Sequence, residues 1–217
     1  MKDDENLALR ILGVDSEDEV DGARKLALRT SRGAIAIILH AAPSAVRAVV
    51  CISGALGGYD GPAKLYPRLG LELPRHGVTV ARVNYRAPND FDECLLDTLA
   101  ALAFLKGIGH QRAAIIGHSF GGAVAINAGT LSPVATTVIA IASQLAGAHV
   151  VGDLAPKPLL LIHGTNDDIL PPRSSELIYE RAGEPRRIRL LEGADHRLTG
   201  RGEELFALVD EWLATRI

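Results

Sequence analysis

Residues 113–126 read Ala113-Ala114-Ile115-Ile116-Gly117-His118-Ser119-Phe120-Gly121-Gly122-Ala123-Val124-Ala125-Ile126. An apolar run, a glycine-flanked serine and a run of small apolar residues follow one another without a charge. That order predicts a strand, a sharp turn and a helix. Gly117 and Gly121 let the backbone turn tightly and let the helix approach the strand closely. The Ser119 hydroxyl would then stand at the carboxyl edge of a sheet, the Gly-x-Ser-x-Gly arrangement of an exposed nucleophile. The plainer alternative is a serine that only caps the helix.

Outward from this unit, β-rich runs alternate with helical patterns. Ala34–Leu39, Ala48–Ile52, Val78–Asn84, Thr136–Ala142, Pro158–His163 and Arg187–Leu191 read as further strands. Several are near-continuous apolar runs, as parallel strands covered on both faces require. Lys25–Arg29 reads as an antiparallel lead-in strand. A helix is expected from about Asn89 to Lys106, with Leu95, Leu99 and Leu102 on one face and Gly107 as its stop. A last one, about Glu203–Thr215, places Leu205, Leu208, Val209, Trp212 and Leu213 on one stripe. The fold class is therefore α/β: a mostly parallel, doubly wound sheet with helices on both faces.

Composition narrows the function classes. The 217 residues are 47% hydrophobic and 23% charged, which suits one globular domain and excludes a disordered chain. Net charge is −3, with no basic surface for a nucleic acid. Residues 1–22 carry eight acids and two bases and are expected to form an acidic arm ahead of a domain spanning 23–217. Within the arm, Leu7, Leu9, Ile11, Leu12 and Val14 suit a strand or a helix equally. The acidic start does not resemble a signal peptide, and Cys51 and Cys94 have neither disulfide-framework nor metal spacing, so a reducing, cytoplasmic setting is expected. Residues 113–152 hold no Asp, Glu, Lys or Arg, but glycines, Asn127, Ser132 and Pro133 divide them too finely for a membrane span.

A serine hydroxyl is too weak an acid to attack an acyl carbon unaided; it needs a base, and the base an orienting carboxylate. Both occur later in the chain at strand ends. Gly164-Thr165-Asn166-Asp167 leaves the strand ending at His163, and Gly193-Ala194-Asp195-His196 leaves the one ending at Leu191. Three polar groups on three strand ends can converge at one edge of the sheet. Among the seven histidines, His196 has the position of the base. His163 is expected to pack and hydrogen-bond locally, and His118 to point away from the nucleophile. His40, His76, His110 and His149 show no metal-ligand spacing.

With these motifs in this order, residues 23–217 resemble the α/β-hydrolase superfamily, and are most similar to its small lidless members of the dienelactone-hydrolase and carboxylesterase type. The resemblance implies a Ser119–His196–Asp167 triad and an oxyanion hole made of the Phe120 N–H with that of Ala55 or Leu56. Dienelactone hydrolases proper use cysteine where this chain has Ser119, which favours an ordinary ester. Relatives usually carry His-Gly where this chain has Ser53-Gly54, a change that leaves a main-chain donor intact. The roughly 15 residues between the strands ending near Ala142 and starting at Pro158 are too few for a cap domain. An open site is therefore expected, walled by Tyr59, Leu145, Leu170 and Leu198. The expected activity is hydrolysis of a small ester with a short acyl chain, without metal or organic cofactor. A thioesterase or small acyl-peptide hydrolase would use the same residues, and a non-catalytic ligand-binding member of the fold is the rival from another class.

Overall fold

The computed structural model describes residues 8–20 and 22–217. Nine strands form one sheet: β1 Ile11–Val20, β2 Ala23–Thr30, β3 Gly33–His40, β4 Arg47–Ile52, β5 Val78–Asn84, β6 Arg112–His118, β7 Ala135–Ile141, β8 Leu159–Gly164 and β9 Arg186–Leu191. Their order is β1-β2-β3-β5-β4-β6-β7-β8-β9. The first three pair antiparallel, β3 pairs antiparallel with β5, and the six from β5 to β9 run parallel. Of the acidic segment, residues 1–7 and 21 lie outside the described residues, while Ile11, Leu12 and Val14 lie in the edge strand β1.

Alternation along the strands builds two cores. On β4, Ala48, Val50 and Ile52 face one side, where α2 (Phe91–Gly107), α3 (Phe120–Leu131) and α4 (Arg173–Arg181) pack. Val49 and Cys51 face the other, against α1 (Leu65–Glu72) and α5 (Gly202–Arg216). A strand buried on both faces has no polar side to show, which is why these segments read as unbroken apolar runs. Every residue of α3 from Phe120 to Gly129 is buried, and its small side chains let it lie close to β6 and β7.

The helix faces differ slightly from expectation. On α2 the buried stripe runs through Cys94, Thr98, Ala101, Leu102 and Leu105; Leu95 and Leu99 sit half-buried at its margin. The wide apolar surface of this helix fixes its presence better than its rotation. The start of α2 is set by Asp90, whose carboxylate accepts the Glu93 N–H at 3.1 Å. On α5 Leu205, Val209, Trp212 and Leu213 are buried and Leu208 partly so. Between β7 and β8 the chain makes one short 3-10 turn, His149–Leu154, and no cap domain. No helix among the described residues is long and apolar enough to cross a membrane.

Candidate active site

Ser119 occupies the turn between β6 and α3 with φ 58° and ψ −121°, a strained conformation for a residue with a side chain. The glycines around it make the turn feasible. A Cβ on Gly117 would lie 2.0 Å from the Gly121 carbonyl oxygen, and one on Gly121 2.2 Å from the Ser53 carbonyl oxygen. The Ser119 side chain does not cap α3; its hydroxyl lies 3.0 Å from His196 Nε2. His196, on the loop after β9, places Nδ1 2.7 Å from Asp167 Oδ2, on the loop after β8. Residues 77 and 29 positions apart in the chain thus meet in one hydrogen-bonded series at the carboxyl edge of the sheet.

The protonation pattern follows from the partners. Burial raises the Asp167 pKa, but the Leu170, His196 and Ile169 N–H groups outweigh it and hold the carboxyl below its usual value. An ionised carboxylate only accepts, so His196 Nδ1 carries the hydrogen and Nε2 is free to accept from Ser119. Asp167 Oδ1 takes the Ile169 and Leu170 N–H groups at 2.9 and 2.8 Å, which locks the carboxylate plane. Asp168 is exposed, and Asp195 instead accepts the Thr199 N–H at 2.8 Å.

Two sets of main-chain donors without acceptors lie next to Ser119. Phe120 is anchored by edge-to-face contacts with Tyr85 and Phe91, and its N–H has no acceptor among the described residues. Gly54–Gly57 forms a turn closed by a 3.0 Å bond, leaving the Ala55 and Leu56 N–H groups without acceptors there. A Cβ on Gly54 would sit 3.4 Å from Ser119 Cβ, so this loop lies directly over the serine. The loop is tied down by side chains that its sequence does not announce: Ser53 Oγ donates to Gly58 O at 2.6 Å, Asn84 Oδ1 accepts the Gly58 N–H at 2.7 Å, and Arg82 Nε donates to Tyr59 O at 2.8 Å.

The serine opens into a cavity of about 840 Å³ bounded by the 53–64 loop, His118, Ile169, His196, Arg197 and Thr199. Of the four wall residues expected, only Tyr59 lines it. Leu198, with φ 54°, turns inward and is fully buried under α5. Leu145 packs against the α2–α3 core, and Leu170 is half-buried while the neighbouring Ile169, 62% exposed, takes its place at the rim beside Leu56, 93% exposed. His118 has a partner that its place in the sequence does not announce. Its ring lies 4.9 Å from that of His196, and its Nε2–H donates to the His196 carbonyl at 3.0 Å. Burial lowers its pKa to about 4, so it is a neutral neighbour of His196. Nothing local could have disclosed a contact between residues 78 positions apart. Among the described residues no three His, Cys, Asp or Glu side chains cluster as a metal site.

No protein-family model matches the chain. An uncharacterized protein of Escherichia coli K12, YfhR, is 29% identical over 126 residues, covering 46% of this chain and 44% of that protein. The chain therefore matches less than half the length of this curated relative. Solved structures align far more completely. An alpha-beta serine hydrolase homologue from Coxiella burnetii superposes with a TM-score of 0.76 at 19% identity, covering 90% of this chain and all of that one. A dienelactone hydrolase from Anabaena variabilis gives 0.75 at 15% identity, covering 90% and 99%. The chain has the lidless α/β-hydrolase fold.

Proposed function

We propose that this protein is a serine hydrolase that cleaves small carboxylic esters through an acyl-enzyme. Supporting the reading above all is His196, with one ring nitrogen 2.7 Å from Asp167 and the other 3.0 Å from Ser119, near the unengaged N–H groups of Phe120, Ala55 and Leu56. Ser119 attacks the acyl carbon as His196 takes its proton; the Phe120 and Ala55 N–H groups, with Leu56 as the alternative donor, stabilise the oxyanion. His196 then protonates the departing alkoxide, and water, activated by the same imidazole, releases the acid. Asp167 keeps the ring in the required tautomer and stabilises its charged form.

An open cavity with Leu56 and Ile169 as its exposed aliphatic side chains gives a long acyl chain little to bury against. Each buried methylene contributes about 0.8 kcal/mol only while there is apolar surface to meet it. Among p-nitrophenyl esters, kcat/KM is expected to be highest for acetyl to butyryl and to fall by octanoyl. A fluorophosphonate probe should label Ser119 stoichiometrically, and Ser119→Ala should abolish labelling and lower turnover by several orders of magnitude while the protein stays folded. A folded, unlabelled wild type without esterase activity would instead favour a ligand-binding protein on the same fold.

A further inference from the structure

The hydrogen-bonded series continues beyond Asp167. His163 on β8 and Ser175 on α4 are both fully buried. His163 Nε2 lies 3.0 Å from Asp167 Oδ2, the same oxygen that His196 Nδ1 reaches at 2.7 Å. His163 Nδ1 lies 2.7 Å from Ser175 Oγ. An ionised Asp167 can only accept, so His163 Nε2 carries the hydrogen, which it shares with the Leu170 carbonyl at 3.0 Å. Burial, against the opposing pull of the Leu170 carbonyl and Asp167, lowers the His163 pKa and keeps the ring neutral. Its Nδ1 is then a bare acceptor, and Ser175 donates to it. The Ser175 hydroxyl therefore selects the tautomer that points a donor at Asp167.

We propose that His163, fixed in its tautomer by Ser175, is a positioning residue for the hydrolytic site: it tethers Asp167 and divides Oδ2 between two imidazoles, which sets how strongly Asp167 supports protonated His196. This rests on the triad reading given above. While His163 donates, Oδ2 has less to offer His196. Without that donor the whole of Oδ2 turns to His196, and the imidazolium is held more tightly. The acid limb of the kcat/KM profile, where the base must lose its proton, then moves to higher pH. A purely structural His163 would change stability or the fraction of active molecules, and would leave that limb where it is.

The other groups around His196 are fixed in the comparison. His118 reaches it from the end of β6 and is neutral; Ser119 faces it from the elbow; Asp195 and Arg197 flank it on its own loop, with Asp195 bound to the Thr199 N–H. None of them touches His163 or Ser175 through a side-chain hydrogen bond among the described residues.

The test is the pH dependence of kcat/KM for p-nitrophenyl acetate in His163→Leu, His163→Gln and Ser175→Ala, with turnover counted per fluorophosphonate-labelled site so that unfolded protein does not enter. Leucine removes the donor; glutamine returns an amide N–H near the former Nε2 position. The acid limb should move up by about 0.5–1 pH unit in His163→Leu and in the same direction, by less, in Ser175→Ala. Turnover per site should fall about 10–100-fold in His163→Leu and be partly restored in His163→Gln, whose limb should return toward the wild-type position. A wild-type limb in either folded donor-loss variant, His163→Leu or Ser175→Ala, would overturn the proposal. The triad reading is tested separately by Ser119→Ala: if that variant keeps wild-type turnover, the failure lies with the triad and not with His163.

Discussion

Three aspartates stand close enough in sequence to compete for the imidazole, and their side-chain surroundings separate them. Asp167 is buried with four donors on its two oxygens, Asp168 is exposed, and Asp195 is turned onto the backbone of its own loop. Asp167→Asn should lower kcat by about 10²–10⁴, because an amide can present its NH₂ to His196 and favour the wrong tautomer. Asp168→Asn and Asp195→Asn should each cost less than about tenfold. Steady-state kinetics on one ester decide this, and a crippled Asp168→Asn beside a near-normal Asp167→Asn would reverse the assignment. The meeting of Ser119, His196 and an aspartate was legible in the sequence because each follows a strand end and parallel strands bring their carboxyl ends to one edge, whereas the choice of Asp167 over Asp168 and Asp195 came with the family resemblance. Leu170 and Leu198 could not be read, because the direction of a loop side chain depends on backbone angles. The φ of 54° at Leu198 sends its side chain into the core and leaves the cavity wall to others.

The elements carry the second level of the design. Strand β6 and helix α3 are joined where no added carbon fits, so the elbow is a close approach of backbone to backbone. Gly121→Ala should therefore leave little folded protein, whereas Ala123→Gly, two residues on in the same helix, should cost only about 1 kcal/mol plus its lost methyl contacts. At the same carboxyl edge, two strands away, the turn from β5 into α2 is held by a buried ion pair. Asp97 accepts both the main-chain N–H and the guanidinium of Arg86, which also reaches Glu93. Removing Asp97 leaves the Arg86 main-chain N–H unpaired and its guanidinium with Glu93 as its remaining carboxylate, so Asp97→Ala should lower stability by about 2–4 kcal/mol in urea unfolding. The apolar strands were legible for the reason that they are buried on both faces. Helix α1 was not: Pro67 and Gly70 interrupt its pattern, and Pro67 is tolerated because it stands in the first turn, where an N–H has no helical acceptor.

At the scale of the whole molecule, the buried imidazoles set the response to acid. Burial foremost lowers the pKa of His40 to about 4, aided by the nearby Arg82, and that of His118 to about 4; His110 and His163 are lowered by burial as well. A histidine with a depressed folded pKa binds its proton more readily in the unfolded chain. Between the folded value and the ordinary value near 6.5, the unfolded state therefore holds more protons, and stability rises with pH across that window. Asp167 acts in the opposite part of the scale. Its carboxyl is held below the usual value, so the stability it contributes is complete above the unfolded value and is lost only as pH falls through the lower, folded one. The melting temperature should thus be level above about pH 7 and fall by roughly 5–10 °C between pH 6.5 and 4.5, before the carboxylates are protonated. His40 isolates the cause. It lies against Gly70 of α1 and near Arg82 of β5, its Nε2 is buried without a partner among the described residues, and it is far in the strand order from β6 and Ser119. His40→Leu fills a similar volume, removes the group that must take up a proton, and breaks no hydrogen bond at Nε2. The substitution should leave the melting temperature at pH 7.5 within a few degrees of wild type and make its decline toward pH 4.5 shallower. An unchanged decline in a folded His40→Leu protein would show that the acid response arises elsewhere, whereas a shallower one ties it to the strand that joins the antiparallel lead-in to the parallel sheet.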